Sequence, residues 1–346
     1  MTARESQPNG SLVRFRDILG QTRVVAFLLA ALRQKRLAHA YLFLGPPGVG
    51  KESTARALAA ALNCRSPLED GDACGECPSC RRLAAGHHAD FLMISPGSEG
   101  RQPQIKIDQI RELRRLTAYP SVEGGWRVIL IKPAEALNDA AVNALLKTLE
   151  EPPPQHLLVL TAGVEDDLFP TVVSRCHQLA FVPLPTSLVV QELVNRGCPP
   201  PQAGWLAALS GGSLGRCLSL DPEELVAQRQ QVLAALREMP QGSTSQVLEW
   251  AAGLAKNRAE VENFLLLAQL WYRDLLLCRA GADARLVAHQ DLWEELQAQK
   301  NQDRPEVWFD RLAALGAAQR QLRANLNVEL TLDVLGLSLQ EGGVMG

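Results

Sequence analysis

Two groups of residues have the types and spacing to do chemistry. The first is Gly45-Pro46-Pro47-Gly48-Val49-Gly50-Lys51, which follows the apolar run Tyr41 to Leu44 and opens an Ala/Leu-rich stretch of helical spacing, Lys51 to Leu62. Strand, Gly-rich loop and helix in that order make a phosphate-binding loop of the Walker A kind. Gly45, Gly48 and Gly50 let backbone N–H groups converge on phosphate oxygens, the helix N-terminus adds partial positive charge, and Lys51 is placed for the β and γ phosphates. The second group is Cys64, Cys74, Cys77 and Cys80, four of the eight cysteines in the chain. Their spacing, across a segment rich in Pro, Gly and Asp with no core pattern, predicts a structural tetrahedral zinc site whose closed shell leaves no position for catalysis. A Cys3His set using His87 or His88 is the alternative, and Arg81 and Arg82 stand near enough in sequence to offset the site's negative charge. Cys198, Cys217 and Cys278 are scattered singly and read as packing residues, as do His39, His156 and His177 beside strands.

The phosphate loop departs from its pattern at the next residue. Position 52 is Glu, where a hydrolysing loop supplies a Ser or Thr hydroxyl to Mg²⁺. Ser53 and Thr54 come one and two residues late, about 100° and 200° further round the helix. A second departure follows the apolar run Val128 to Ile131. A hydrolysing enzyme places metal-binding and catalytic acids there, and this chain has Lys132 and Pro133, with Glu135 two residues beyond. The two losses argue against Mg-dependent hydrolysis and count against ATP or ADP binding at this loop.

The elements that must position these residues follow from periodicity. Strands are expected at Tyr41–Leu44, Phe91–Ile94, Arg127–Ile131 and Leu157–Leu160, and helices at Gln21–Arg33, Lys51–Leu62, Ile107–Leu116 and about 139–150, the last stopped by Pro152-Pro153-Pro154. That alternation predicts an α/β domain, a parallel sheet with helices on both faces. Strand signals end near Pro185, and the remainder is helical in period. Breaks at Val182–Pro185, Asp221-Pro222 and Pro240–Ser243 divide the chain into an α/β domain with a zinc insertion (1–183), a small helical domain (184–221) and an all-α C-terminal domain (222–346).

Composition bounds the partners. The 346 residues carry 35 Lys and Arg against 38 Asp and Glu, a net charge of −3, with 47% apolar residues. Such a balance excludes disordered and collagen-like classes and disfavours a free-standing DNA binder, including a zinc-dependent adaptor, because phosphate backbones need clustered Lys and Arg. Met1 to Gly10 is polar and the apolar stretch Phe264–Cys278 is broken by Gln269, Arg273 and Asp274, so neither a signal peptide nor a membrane span is expected, and the expected location is cytoplasmic.

Several segments, in order, resemble a known family: Leu37-Ala38-His39-Ala40-Tyr41-Leu42-Phe43, the phosphate loop, the Cys64/74/77/80 insertion, Asn143 to Pro153 and Ser174-Arg175-Cys176. The chain is similar over about residues 12–185 to the AAA+ clamp-loader subunits of bacterial DNA polymerase III. The resemblance implies DNA replication, gamma/tau and delta subunits as partners, and access to the sliding clamp and primer-template DNA through the complex. It implies that Arg175 is an arginine finger acting in trans on a neighbour's ATP, that Thr161 sits at the first sensor position, and that Arg216, in Ser210-Gly211-Gly212-Ser213-Leu214-Gly215-Arg216, sits at the second. Motor subunits of this family keep the hydroxyl and the acid pair. Glu52, Lys132 and Pro133 therefore make this chain look like the non-hydrolysing member that completes the ring, with Gly45, Gly48, Gly50, Lys51 and Ser53 as a degenerate nucleotide site. The alternative is an ATP-hydrolysing motor subunit in which Glu52 still helps to hold Mg²⁺.

Overall fold

The computed structural model describes residues 12–97, 104–219, 222–324 and 326–341. The polar stretch Met1–Gly10 and the break residue Asp221 lie outside them. The chain divides into two compact units, Met1–Pro185 with Gly212–Arg216, and Thr186–Gly211 with Cys217–Gly346.

The first unit is built on five parallel strands: β1 (Ala40–Leu44), β2 (Phe91–Ile94), β3 (Arg127–Ile131), β4 (His156–Ala162) and β5 (His177–Ala180), in the spatial order β2-β3-β4-β1-β5. Strands β3 and β4 are buried along their whole length, which is why the sequence shows unbroken apolar runs there and no alternation. Alternate residues serve opposite faces. Tyr41, Phe43, Val128, Leu130, Leu157 and Val159 face a core closed by α1 (Thr22–Arg33) and α2 (Lys51–Asn63). Leu42, Ile129, Ile131, Leu158 and Leu160 face a core that also takes up Ile110 and Leu113 of α4 (Ile107–Thr117) and Leu145 and Leu149 of α5 (Asp139–Glu150). Helix α3 (Pro78–Ala84) lies in the cysteine segment between α2 and β2, and the short α6 (Pro170–Val173) lies between β4 and β5. Five buried alanines of α2, Ala55, Ala57, Ala59, Ala60 and Ala61, let that helix lie close on the sheet.

The four strands expected from the sequence are present, and β5 is additional. It pairs with β1 from Tyr41↔His177 to Leu44↔Ala180. Three of its four residues are exposed, so a short edge strand reading His-Gln-Leu-Ala carries almost no hydrophobic signal. Phe27 of α1 stacks on His177 at 5.0 Å between ring centres and anchors that edge.

A buried ion pair fixes the starts of β2 and β3. Asp90 is fully buried, and its Oδ1 accepts from Arg127 Nε at 3.1 Å and Nη2 at 3.0 Å. The same carboxylate accepts the backbone N–H groups of Val122 (2.9 Å) and Glu123 (2.8 Å), while Arg127 also donates to the carbonyls of Leu116, Tyr119 and Pro120. Two charges thus organise the whole connection from α4 to β3.

The second unit is helical: α7 (Thr186–Asn195), α8 (Pro200–Leu209), α9 (Leu214–Ser219, shared with the first unit), α10 (Pro222–Glu238), α11 (Thr244–Leu254), α12 (Arg258–Arg279), α13 (Trp293–Gln299), α14 (Pro305–Arg323) and α15 (Val328–Glu341). Helix α12 packs on α10, α13 and α14, and α15 packs on α11 and α14. Inside, Arg229 grips Asp291 at 2.8 and 2.9 Å and lies over the Trp205 ring. No helix among the described residues is long and apolar enough to cross a membrane.

Candidate functional site

The loop expected to bind phosphate connects β1 to α2. Gly45 opens it with φ +148°, its N–H donating to Ala162 O at the end of β4, and Gly48 and Gly50 are left-handed at φ +75° and +102°. Gly48 is required twice over. A Cβ there would stand 2.1 Å from Ser213 Oγ, because the turn Ser213–Arg216 lies against the loop, Gly215 N donating to Gly48 O at 3.0 Å. Ser213 Oγ in turn accepts Arg216 N at 3.1 Å, so Arg216 is held on the turn that covers the loop. Lys51 Nζ donates to the loop's own carbonyls, Gly45 O and Pro46 O, the latter at 2.8 Å. Burial lowers the Lys51 pKa, and the charge of Glu135 partly restores it.

The two departures from a hydrolysing site meet in space. Glu52 Oε2 accepts from Lys132 Nζ at 2.5 Å, and Glu52 Oε1 accepts from Arg56 Nε at 2.9 Å and Nη2 at 2.7 Å. Burial alone would raise the Glu52 pKa; the hydrogen bonds from Lys132 and Arg56 outweigh it and hold the carboxyl below its ordinary range. Where a metal would need a hydroxyl and an acid, this chain has an acid and a base that satisfy each other. In the sequence the two stand 80 residues apart and read as independent losses. The signal that joins them is opposite charge at two positions that converge in any P-loop domain.

The remaining expected residues are distributed as follows. Ser53 is half-buried on the first turn of α2, and Thr54 Oγ1 donates to Gly50 O at 2.8 Å, turned back into its own helix. Thr161 is buried on β4, paired in register with Phe43 of β1. Glu135 lies in a single helical turn after β3, accepting Gly163 N at 3.1 Å just beyond β4. Arg175 belongs to a different surface. It follows α6, and its guanidinium donates to Glu150 Oε1 at 2.8 Å, Thr171 O at 3.0 Å and Ser174 Oγ at 3.2 Å.

The four cysteines converge. The Sγ atoms of Cys64, Cys74, Cys77 and Cys80 all lie within 4.8 Å of one another, a set that can hold a metal ion. Backbone N–H groups point at the sulfurs, Cys74 N to Cys64 Sγ at 3.3 Å and Cys77 N to Cys74 Sγ at 3.4 Å, as thiolate ligands require. Burial works against the Cys77 thiolate, but backbone donors at Cys80 and Arg65 and the neighbouring thiols bring its pKa down to about 6. Among the described residues no histidine joins the four thiols in this set, and His88 spends Nε2 on Ser79 Oγ (3.0 Å) and Nδ1 on Asp90 N (3.2 Å). Arg82 pairs with Glu123 across the α4–β3 connection, tying the cysteine segment to the sheet. Replacing Cys77 with Ser is expected to abolish stoichiometric metal binding and to open residues 64–80 to proteolysis; full metal content by atomic absorption would refute this ligand set.

A five-stranded parallel sheet carrying a P-loop, followed by a helical region, defines an AAA+ fold. Residues 20–185 match the family model described as DNA polymerase III, delta subunit. DNA polymerase III subunit delta' of Pseudomonas aeruginosa is 42% identical over 205 residues, 58% of this chain and 61% of that one, so the match spans about three fifths of the relative's length. The Bacillus subtilis protein of the same name is 29% identical over 93% of this chain and 97% of its own. DNA polymerase III subunit tau of Escherichia coli is 34% identical over 63% of this chain and 34% of its own length. Over its first half the chain is similar to the delta-prime subunits of DNA polymerase III.

Proposed function

We propose that this chain is a non-hydrolysing clamp-loader subunit of the bacterial replicative polymerase, which completes an AAA+ ring and supplies Arg175 in trans to a neighbour's ATP. One observation carries the reading: Glu52 and Lys132 neutralise each other where Mg²⁺ would have to be held. A carboxylate already bonded to two cations offers a metal little, and Lys132 would repel it. Lys51, its ammonium turned onto Gly45 O and Pro46 O, supports the same conclusion.

In this reading gamma/tau and delta subunits are the direct partners, and the sliding clamp and primer-template DNA are met through the assembled ring. The division into an α/β domain (1–183), a lid (184–221) and a collar (222–346) belongs to it, with the collar as the main contact between subunits. The ion held by the four cysteines is zinc, in keeping with an all-thiolate tetrahedral set, and its work is to order the insertion. Thr161 and Arg216 keep the sensor positions without a reaction of their own to sense.

The purified chain is expected to show no Mg-ATP turnover above that of its Lys51→Ala variant. Turnover that Lys51→Ala abolishes would establish the motor-subunit reading instead, the one favoured by similarity to tau over the P-loop domain.

A further inference from the structure

Arg175 is not free to reach a neighbour as it stands. Its guanidinium is turned back on its own chain at both ends, Nη1 on Thr171 O and Ser174 Oγ, and Nη2 on Glu150 Oε1. Glu150 is the last residue of α5. A carboxylate there faces the negative end of the helix dipole, an unfavourable place that a cationic partner offsets. Both side chains are well exposed, Arg175 at 36% and Glu150 at 49%, so the pair is screened and easily exchanged. These are the properties of a detachable counter-ion.

We propose that Glu150 is a positioning residue that holds Arg175 back from the subunit interface until the phosphates of a neighbouring nucleotide compete for it. The inference rests on Arg175 being a trans finger. Triphosphate oxygens offer a guanidinium the same bidentate geometry as a carboxylate with more charge, so the exchange runs forward when the interface closes and reverses when it opens. Glu150 therefore sets how often the finger is available in the resting ring, and contributes little once the clamp and DNA have closed the interface.

The test uses the complex reconstituted with gamma/tau and delta subunits, carrying wild type, Glu150→Gln, Glu150→Asp, Arg175→Ala or the double variant Glu150→Gln/Arg175→Ala. Glu150→Gln is expected to raise ATP turnover without DNA or clamp by about two- to five-fold, the range over which an exposed ion pair biases an equilibrium. The stimulated rate stays within about two-fold, so the ratio of stimulated to basal turnover narrows. Glu150→Asp keeps the wild-type basal rate, and added salt closes the gap between wild type and Glu150→Gln by weakening the pair in the former. The double variant matches Arg175→Ala. Glu151→Gln controls for loss of a surface charge, and Glu150→Ala replaces the glutamine variant should that one not assemble. Basal turnover that is unchanged or lower in Glu150→Gln, with Arg175→Ala still impaired, overturns the counter-ion and leaves the finger. A rise that persists in the double variant also overturns it, since Glu150 would then act elsewhere. An unimpaired Arg175→Ala overturns the finger itself.

Discussion

Arg175→Ala is expected to leave the ring assembled and to slow ATP hydrolysis at the single site that faces this subunit by about 10³-fold or more, the size of effect an arginine finger has on phosphoryl transfer. The argument is electrostatic. Charge develops on the γ-phosphate as its bond to the leaving group breaks, and a guanidinium delivered into a closing, water-poor interface stabilises it without needing to reorganise at the moment of reaction. Removal costs the transition state and not the ground state, so the single-site rate falls while nucleotide affinity barely moves. The steady-state rate of the complex falls only by the share this site carries. Pre-steady-state turnover shows the full loss. Arg175→Lys should recover only part of it, since an ammonium lacks the bidentate fork. The present partners of Arg175 are exposed, so the variant is expected to fold with wild-type stability. Unchanged single-site turnover in an assembled ring would remove Arg175 from the mechanism.

Arg127→Met is expected to destabilise the first unit by about 3–5 kcal/mol, the usual result of taking one partner from a buried ion pair. Asp90 is fully buried and Arg127 nearly so, leaving the carboxylate with its backbone donors but without a counter-charge. Urea unfolding followed by tryptophan fluorescence, fitted to the transition of the first unit, reads the change; a loss under about 1 kcal/mol would mean that the cavity rehydrates. The same pair sets an acid limit. Burial pushes the Asp90 pKa up, but the N–H groups of Glu123 and Val122 and the Arg127 guanidinium outweigh it and bring it below its ordinary value. A carboxyl depressed on folding contributes stability that is complete above its unfolded pKa of about 3.9 and disappears as the pH falls through the folded value. Wild type should therefore lose stability more steeply than Arg127→Met below about pH 4.

Much of the fold is legible in the sequence because it is carried by local pattern. The strand–loop–helix around Gly45 to Lys51 and the four clustered cysteines declare themselves within a few tens of residues, and the buried strands read as apolar runs. Pairing at long range is not legible in this way. Arg127 reads as the polar first residue of a strand, and Asp90 as a loop acid; their bond spans 37 positions. Glu150 reads as one more charge at a helix end before Pro152. Strand β5 escapes detection because an edge strand needs only one face of hydrophobicity, and His177-Gln178-Leu179-Ala180 supplies one buried leucine.

The bond between Glu52 and Lys132 also constrains how this chain can change. Restoring a hydroxyl at position 52 alone would take from Lys132 the carboxylate that neutralises it beside the phosphates, and restoring an acid at 132 alone would set two carboxylates side by side. Each single step toward a working metal site passes through a worse protein than the one at either end. The pair is a ratchet: with both residues in place, neither can be exchanged alone without leaving an unneutralised charge at this position.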